Sequence, residues 1–361
     1  MKNIEFKIRK LVAYGFVILL LGGIGGVLMD RAVLPYLSIL PFFKNLEFLD
    51  PRSPIVITKR EEIRINEGIN YIETAARLKN ILASIYLHEG DFGSLRFKPR
   101  DHFSGIVITS DGILVAPLFA HKPGQNITVL LAGQRPMRAE LVAADQFSGV
   151  SFLRIPAKDL PVTKPVLSRD VRAGERLLFL WTEESSQNPR IKPVVLAANP
   201  GADAAISAVY SFDKPNAFLK LDTNKLDAEV RGGVMVNRDA ALAGFVAQRE
   251  DELFILRSDD LKKITDNFLD DEKISWPSFP ISYRILDGAL AELFGLPKKY
   301  GILVGTGAGS LVTNDFVYAV DGKELNAEEG FQDIVLSKKP GDIVKLKLVR
   351  AGKDMEITYS L

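Results

Sequence analysis

The sequence predicts a mainly β protein that begins with one long apolar helix. Residues 11–29 contain no charged side chain, which favours a buried or lipid-facing helix. From about residue 81 to 256, short apolar runs are punctuated by Gly, Pro, Asp and Asn, a pattern typical of β-sandwiches and barrels. A second set of short runs fills the chain from residue 281 onward. We therefore expect a helix followed by two β-rich domains.

The amino-acid composition argues against nucleic-acid binding and excludes cysteine chemistry. The 361 residues and the 47% hydrophobic content are sufficient for two or three domains with cores. A net charge of +1, from 46 basic and 45 acidic residues, provides no field that would attract nucleic acid. The absence of cysteine excludes disulfides, thiolate zinc sites and a cysteine nucleophile. Imidazole chemistry is restricted to three residues, His88, His102 and His121.

The N-terminal run "LVAYGFVILLLGGIGGVLM", residues 11–29, is predicted to be a transmembrane helix. Four basic residues precede it, Lys2, Lys7, Arg9 and Lys10, whereas Asp30 and Arg31 nearly cancel after it. The positive-inside rule then places the N-terminus in the cytoplasm and the main body outside. A cleaved signal peptide is the alternative, because residues 22–26 contain four glycines, although no A-x-A-like cleavage site follows.

The next segment, residues 30–66, is predicted to be a juxtamembrane region. Residues 34–49 are rich in aromatic side chains and interrupted by Pro35 and Pro41, so their apolar groups need cover. We give equal weight to three surfaces that would bury them: a lipid interface, the body of the protein and another copy of the chain. Residues 55–65 alternate as a strand does, and helical spacing follows from Ile69.

The C-terminal part is predicted to contain a closing helix, a linker and a second module. Residues 258–271 begin with a capping serine and have apolar residues at helical spacing. "EKISWPSFP" is interpreted as a linker. The module is expected to have strands at residues 281–286, 301–304, 316–320, 343–349 and 355–359, and helices near residues 288–294 and 327–337. "GTGAGS", which lies between two of these strands, is interpreted as a turn and not as a nucleotide site.

The order of these pieces resembles the HtrA family of membrane-anchored, trypsin-like serine proteases with C-terminal PDZ domains. The resemblance is carried by "EGINYIETAARLKNILASIYL", "FSGIVITSDGILVAP", "LVAADQFSGVSFLRI" and "KLDTNKLDAEVRGGVMVNRDAALAGFV", and then by "ALAELFGLPKKYGILV", "VYAVDGKEL" and "KKPGDIVKLKLVRAGKDMEITYSL". It implies a chymotrypsin-like double β-barrel and a PDZ domain. The expected domains are 1–10 cytoplasmic, 11–29 transmembrane, 30–66 juxtamembrane, 67–271 protease-like, 272–278 linker and 279–361 PDZ.

The sequence departs from the family pattern at each position of the catalytic triad. The catalytic His is matched by Phe119, the catalytic Asp by Gly149 and the nucleophile by Arg231. The reaction requires a hydroxyl, an imidazole that accepts its proton and an acceptor that orients the imidazole. His121 lies two residues past the expected base, but we expect it to be an exposed loop residue. Thr223 is the only hydroxyl residue between residues 212 and 257, so a small shift in alignment does not restore a nucleophile.

The PDZ-like module also departs from the pattern at its binding edge. The carboxylate-binding loop is matched by "SFPI", so Phe279, Pro280 and Ile281 stand in it, and Pro280 cannot donate an N–H. The helix of the peptide groove is expected to supply Phe331, Ile334 and Val335. Peptide capture in this groove and a purely structural or docking role are both open.

The sequence therefore predicts a membrane-anchored, catalytically inactive HtrA-like protein. Its expected work is to bind proteins or peptides, or to regulate an active relative, in extracytoplasmic protein quality control. No cofactor and no metal site are expected. Members of the HtrA family commonly form trimers, so the resemblance implies a homo-oligomer. The alternative is an active serine endopeptidase with a rearranged site.

Overall fold

The computed structural model describes most of the chain. The described residues are 2–33, 67–90, 99–167, 170–183, 186–198, 208–214, 219, 221, 230–249, 252–271 and 273–361. They divide into two units, Met1–Ile65 and Asn66–Leu361. The predicted juxtamembrane segment lies almost entirely outside the described residues, as does the predicted strand at residues 55–65.

The described residues of the first unit form a long helix, α1, at Lys2–Leu28, which is followed by a π-helical turn at Met29–Val33. This confirms the helical character of the N-terminal run. However, no helix among the residues in view is both long and apolar enough to cross a membrane. The prediction of a transmembrane span over residues 11–29 is therefore not supported by the structure.

The second unit begins with helix α2, Glu67–Leu78, and a closed six-stranded β-barrel. The strands are β1 (Leu82–His88), β2 (Pro99–Val107), β3 (Ile113–Pro117), β4 (Asn126–Leu131), β5 (Met137–Asp145) and β6 (Val150–Arg154). Their order around the barrel is β1-β2-β3-β6-β5-β4. All seven residues of β1 are buried. Residues of this strand contribute to the barrel core and to the core shared with the next sheet, which explains why its buried positions do not alternate with exposed ones.

A five-stranded sheet follows the barrel. Its strands are β7 (Arg176–Glu183), β8 (Ser186–Val195), β10 (Val234–Val236), β11 (Leu242–Arg249) and β12 (Glu252–Arg257), in the order β12-β11-β10-β7-β8. A shared core joins this sheet to the barrel. Helix α3, Ser258–Asp271, has the predicted bounds and adds Leu261, Ile264 and Phe268 to that core, where Phe268 stacks on Phe152 at 4.4 Å.

The C-terminal module is a further sheet with two short helices. Its strands are β13 (Ser282–Leu286), β14 (Gly301–Thr306), β15 (Phe316–Val320), β16 (Lys323–Glu324), β17 (Ile343–Arg350) and β18 (Lys353–Ser360), and its helices are α4 (Gly288–Leu293) and α5 (Phe331–Val335). The sheet order is β18-β17-β15-β14-β13-β9. The last strand, β9 (Tyr210–Ser211), comes from the chain before α3 and was not expected in this sheet.

Helix α5 is shorter than the predicted helix at residues 327–337. The side chain of Asn326 accepts the backbone N–H groups of Glu328 and Glu329, both at 2.9 Å, which holds this stretch as a turn. Gly330 then caps the helix, whose first turn contains Asp333. Local side-chain hydrogen bonds therefore delay the start of the helix.

Polar contacts join both the predicted linker and the C-terminal module to the part of the chain that precedes them. The Arg257 guanidinium, 7% exposed, bonds Asp260 of α3 at 2.6 Å and Asp333 of α5 at 2.5 Å. In the predicted linker, Trp276 donates its indole N–H to both carboxylate oxygens of Asp145 at 3.1 Å. The stretch interpreted as a linker is therefore attached to the domain that precedes it.

Candidate functional site

The three positions matched to the catalytic triad lie where the barrel meets the second sheet. The N–H of Ser104 on β2 donates to the carbonyl of Arg231 at 2.7 Å, and Ser104 forms a parallel bridge with Gly232. Gly232 has a φ of +90°, and a Cβ there would lie 2.1 Å from the carbonyl oxygen of Ser104. Only glycine fits, because the two backbones approach so closely. The turn after Arg231 is thus fixed against the barrel.

The Arg231 side chain is held by an acidic and an aromatic neighbour. Its Nη1 donates to Oδ1 of Asp101 at 2.6 Å, and its guanidinium carbon lies 5.6 Å from the centroid of the Phe103 ring. Phe119, the position matched to the base, stacks on the same Phe103 ring with centroids 5.2 Å apart. The structure therefore brings Phe119 and Arg231 together with Phe103 as their common neighbour. An aromatic stack and a guanidinium therefore lie side by side at this point of the structure.

Gly149, the position matched to the orienting carboxylate, has no room for a side chain. Its φ is +70°, and a Cβ would lie 2.6 Å from the Gln248 carbonyl oxygen and 2.9 Å from Cζ of Phe254. Its own carbonyl accepts the N–H groups of Leu118 at 2.8 Å and Gln248 at 3.0 Å. Because Leu118 directly precedes Phe119 in the chain, its hydrogen bond brings Gly149 close to Phe119. The backbone of β11 occupies the space that a carboxylate would need.

The sequence analysis missed a cluster of two hydroxyls and one imidazole, formed by Ser104, Thr182 and His102. It lies next to Arg231, because Ser104 bonds the Arg231 carbonyl. Ser104 Oγ and Thr182 Oγ1 are 2.9 Å apart, and Thr182 Oγ1 lies 3.3 Å from Nε2 of His102. Burial lowers the pKa of His102 to about 4, and the nearby Glu183 only partly opposes this shift. The alternation of strand side chains was the available signal, since His102 and Ser104 are two residues apart on one face of β2.

This cluster is closed to a substrate. Ser104 is 1% exposed and Thr182 is 6% exposed. Ser104 Oγ accepts the N–H of Thr182 at 2.9 Å and lies 3.2 Å from the carbonyl oxygen of Thr182. Its hydroxyl therefore joins the barrel to β7 and is not available to a substrate carbonyl.

The other two histidines lie apart from this cluster. His121 is exposed, as expected from the sequence, and its Nε2 bonds the carbonyl of Gln125 at 3.1 Å. His88 is buried, and its Nε2 bonds Thr128 Oγ1 at 2.8 Å. Within the described ranges, no three His, Asp or Glu side chains are grouped so that they could hold a metal ion.

The predicted groove residues of the C-terminal module come together in one core. Phe279, Ile281, Phe331, Ile334 and Val335 are all buried in it, whereas Pro280 is exposed. The N–H of Ile281 donates to the carbonyl of Phe279 at 2.7 Å, so it is used inside the loop. The groove between β13 and α5 is not open, because Phe212, 2% exposed, fills it.

The closed barrel, the second sheet and the site where they meet define the chymotrypsin-like serine protease fold. Solved structures of HtrA-type proteases share it. The AlgW protease with a tripeptide superposes with a TM-score of 0.60 at 18% identity, covering 80% of this chain and 95% of AlgW. The same protease with a decapeptide gives a TM-score of 0.55 at 18% identity, covering 80% of this chain and 97% of AlgW.

Curated sequences point to the same family. A probable periplasmic serine endoprotease, DegP-like, of Halomonas elongata is 22% identical over 272 residues, which is 72% of this chain and 56% of the relative. The corresponding protein of Pseudomonas fulva is 24% identical over 267 residues, 69% of this chain and 53% of the relative. No family model matches the chain. The chain spans about half the length of these relatives. Together, the sequences and the fold support a relationship to the HtrA-type proteases.

Proposed function

We propose that this protein is an HtrA-like pseudoprotease that works by binding proteins or peptides outside the cytoplasm. The observation that carries the proposal is the contact of Arg231 with Asp101 and Phe103, beside the stacked ring of Phe119. Serine protease chemistry needs a nucleophile, a base and an orienting acceptor within hydrogen-bond reach. Arg231, Phe119 and Gly149 provide none of these groups.

Binding is the activity that the rest of the molecule supports. The C-terminal module is proposed to be a PDZ-like domain, because its apolar residues line the space between a sheet edge and a helix. This is the arrangement in which such domains accept an extended peptide. AlgW, which shares the fold, has been solved with bound peptides. A role in protein quality control, alone or with an active relative, follows by resemblance to the HtrA family.

The extracytoplasmic location of the main body is part of the proposal. It is supported by the relatives, whose names describe them as periplasmic. Protease added to spheroplasts should degrade the C-terminal module while a cytoplasmic marker stays intact. Protection of the module under these conditions would contradict the location.

An active protease with a rearranged site is the second candidate. Two observations favour it. The relatives are named as serine endoproteases, and Thr182 links the His102 ring to the Ser104 hydroxyl. Against it, Ser104 and Thr182 are buried and hydrogen-bonded to each other. The low pKa of His102, which is caused by burial, also makes it a weak base.

A fluorophosphonate probe separates the two candidates, because it labels only activated serines. We expect no labelling of the purified full-length chain, and no difference between the chain and its Ser104→Ala variant. An HtrA-type protease with an intact triad serves as the positive control. Labelling that disappears in the Ser104→Ala variant would establish the rearranged site and overturn the proposal.

A further inference from the structure

A short segment of the protease-like domain lies on the C-terminal module as an added strand. Strand β9 pairs antiparallel with β13, so that Tyr210 faces Tyr283 and Ser211 faces Ser282. Beyond these pairs, the N–H of Phe212 donates to the carbonyl of Ile281 at 3.1 Å. Strand addition at a sheet edge is a general way in which proteins hold extended peptides. Here residues 210–212 of the same chain use that edge.

The Phe212 side chain is the anchor of this segment. Its ring lies 5.6 Å from the ring of Phe279 and 6.1 Å from that of Phe331, measured between centroids. It is 2% exposed, whereas its neighbours Val209, Asp213 and Lys214 are exposed. Burial of the segment is therefore concentrated in one aromatic side chain. This is the distribution expected of a peptide that docks through a single pocket.

The module also contacts the backbone of the segment through one buried polar side chain. Gln332 of α5, 4% exposed, donates from Nε2 to the carbonyl of Phe212 at 3.1 Å and to that of Lys214 at 2.7 Å. These contacts depend on an extended backbone and not on the identity of the side chains. They also reach past Phe212, which means that the site accepts a chain that continues beyond the aromatic residue.

We infer that the groove between β13 and α5 binds extended peptide segments that present one aromatic side chain, and that residues 209–214 are its internal occupant. A segment of the same chemistry from a partner protein binds by displacing the internal one. The groove recognises a mid-chain segment, because Gln332 bonds a carbonyl two residues after the aromatic position. The inference rests on the proposed binding role of the module, but it does not depend on the loss of catalysis.

The absence of cysteine from the chain allows a direct test on the full-length protein. Ser211 and Ser282 face each other across the two strands. Facing residues of an antiparallel pair are about 4.5–5.5 Å apart at Cα, which is within the span of a disulfide. The variant Ser211→Cys/Ser282→Cys should therefore form a crosslink on oxidation that locks the occupant in place. The single Ser282→Cys variant controls for the substitution.

The probe is a fluorescent peptide with the sequence of residues 208–214, AVYSFDK, and its binding is followed by anisotropy. The reduced double variant should bind it at least tenfold more tightly than the oxidised form does. The matched peptide AVYSADK, which lacks the phenylalanine ring, should bind to neither form. In a second variant, Phe212→Ala removes the competing anchor, so the probe should bind at least tenfold more tightly than to the unmodified chain.

Several results would overturn the inference. These are failure of the two cysteines to crosslink, equal binding to the oxidised and reduced forms, equal binding of the two peptides, or no binding to any form. If Phe212→Ala does not fold, the cysteine pair still decides, because Ser→Cys substitutions are small and the crosslink is reversed by reduction. Fluorophosphonate labelling is measured separately, so a failure of the peptide site and a failure of the pseudoprotease proposal are distinguishable.

Discussion

Two regions of this molecule that resemble functional sites are both filled by the protein's own residues, but in different ways. The triad region is filled by side chains that belong to the barrel, since Phe119 and Phe103 stack and Gly149 lies against β11. The C-terminal groove is filled by a segment that makes two residue pairs and buries one ring. The first filling is part of a core and cannot leave without unfolding. The second uses contacts that another peptide can replace.

This difference teaches that a site filled by core side chains and a site filled by a docked segment can be told apart by what occupies them. Changing the first requires new side chains, and at Gly149 the surrounding backbone leaves no space for one. Reversing the second requires only a competitor with the same chemistry. Four variants or conditions test this comparison, and they are given from the largest expected effect to the smallest.

The largest effect is expected for Gly149→Asp, which places a carboxylate at the position matched to the orienter. A Cβ at this position would lie 2.6 Å from the Gln248 carbonyl oxygen, so we expect a loss of about 3 kcal/mol or more in the free energy of unfolding. Urea denaturation measures it. Gly124→Asp is the matched control, because Gly124 has a φ of +84° and open space around its Cβ position. Equal losses for the two variants would show that the triad region has room for a side chain.

Acidification should lower the free energy of unfolding through His102, which lies on β2 near the positions matched to the triad. The pKa of this ring is about 4 in the folded protein and about 6.5 when it is unfolded, so between pH 6.5 and 4 the unfolded state binds more protons. Stability should therefore fall as the pH drops through this window, by at most about 1.4 kcal/mol per unit, and by less because the ring is partly exposed. The His102→Asn variant should have a flatter profile in urea titrations. Identical slopes would contradict the assignment.

A smaller effect is expected for Pro280→Gly in the Phe212→Ala background. Emptying the groove and restoring the N–H of the loop should raise the affinity for peptides with a free, apolar C-terminus by severalfold, which is about 1 kcal/mol. Amidation of the peptide should abolish the gain. Tight carboxylate-dependent binding with Pro280 still in place would show that this loop is not degenerate.

The smallest effect is expected for Arg231→Ser. Its ion pair with Asp101 is exposed, with 47% and 37% of the two side chains accessible, so the loss of stability should stay below about 1 kcal/mol. Casein cleavage should not rise above that of a mock preparation, because Phe119 and Gly149 still provide no base and no orienter. Activity in this single variant would mean that the alignment of the three positions is wrong.

The groove shows where prediction from sequence stops. Phe279, Ile281, Phe331, Ile334 and Val335 were expected to line it and are buried together in one cluster. Phe212 was not expected there, because it is more than sixty residues away in the sequence and the pairing of β9 with β13 has no local pattern. In the same way, the "HFSG" stretch contains His102 and Ser104, but only the packing of β7 against β2 adds Thr182 to them.

The sequence by itself determined the mainly β character, the helix at Ser258–Asp271 and the strands of the C-terminal module. These follow from local periodicity, capping and spacing, which act over a few residues. The match of Phe119, Gly149 and Arg231 to the triad positions came from the resemblance to the HtrA family alone. The tertiary structure alone decided that Arg231 contacts Asp101 and Phe103, that Gly149 has no space for a side chain, and that residues 209–214 occupy the C-terminal groove. Each of these depends on backbones that are distant in sequence and close in space, and side-chain patterns along one strand do not encode such proximity.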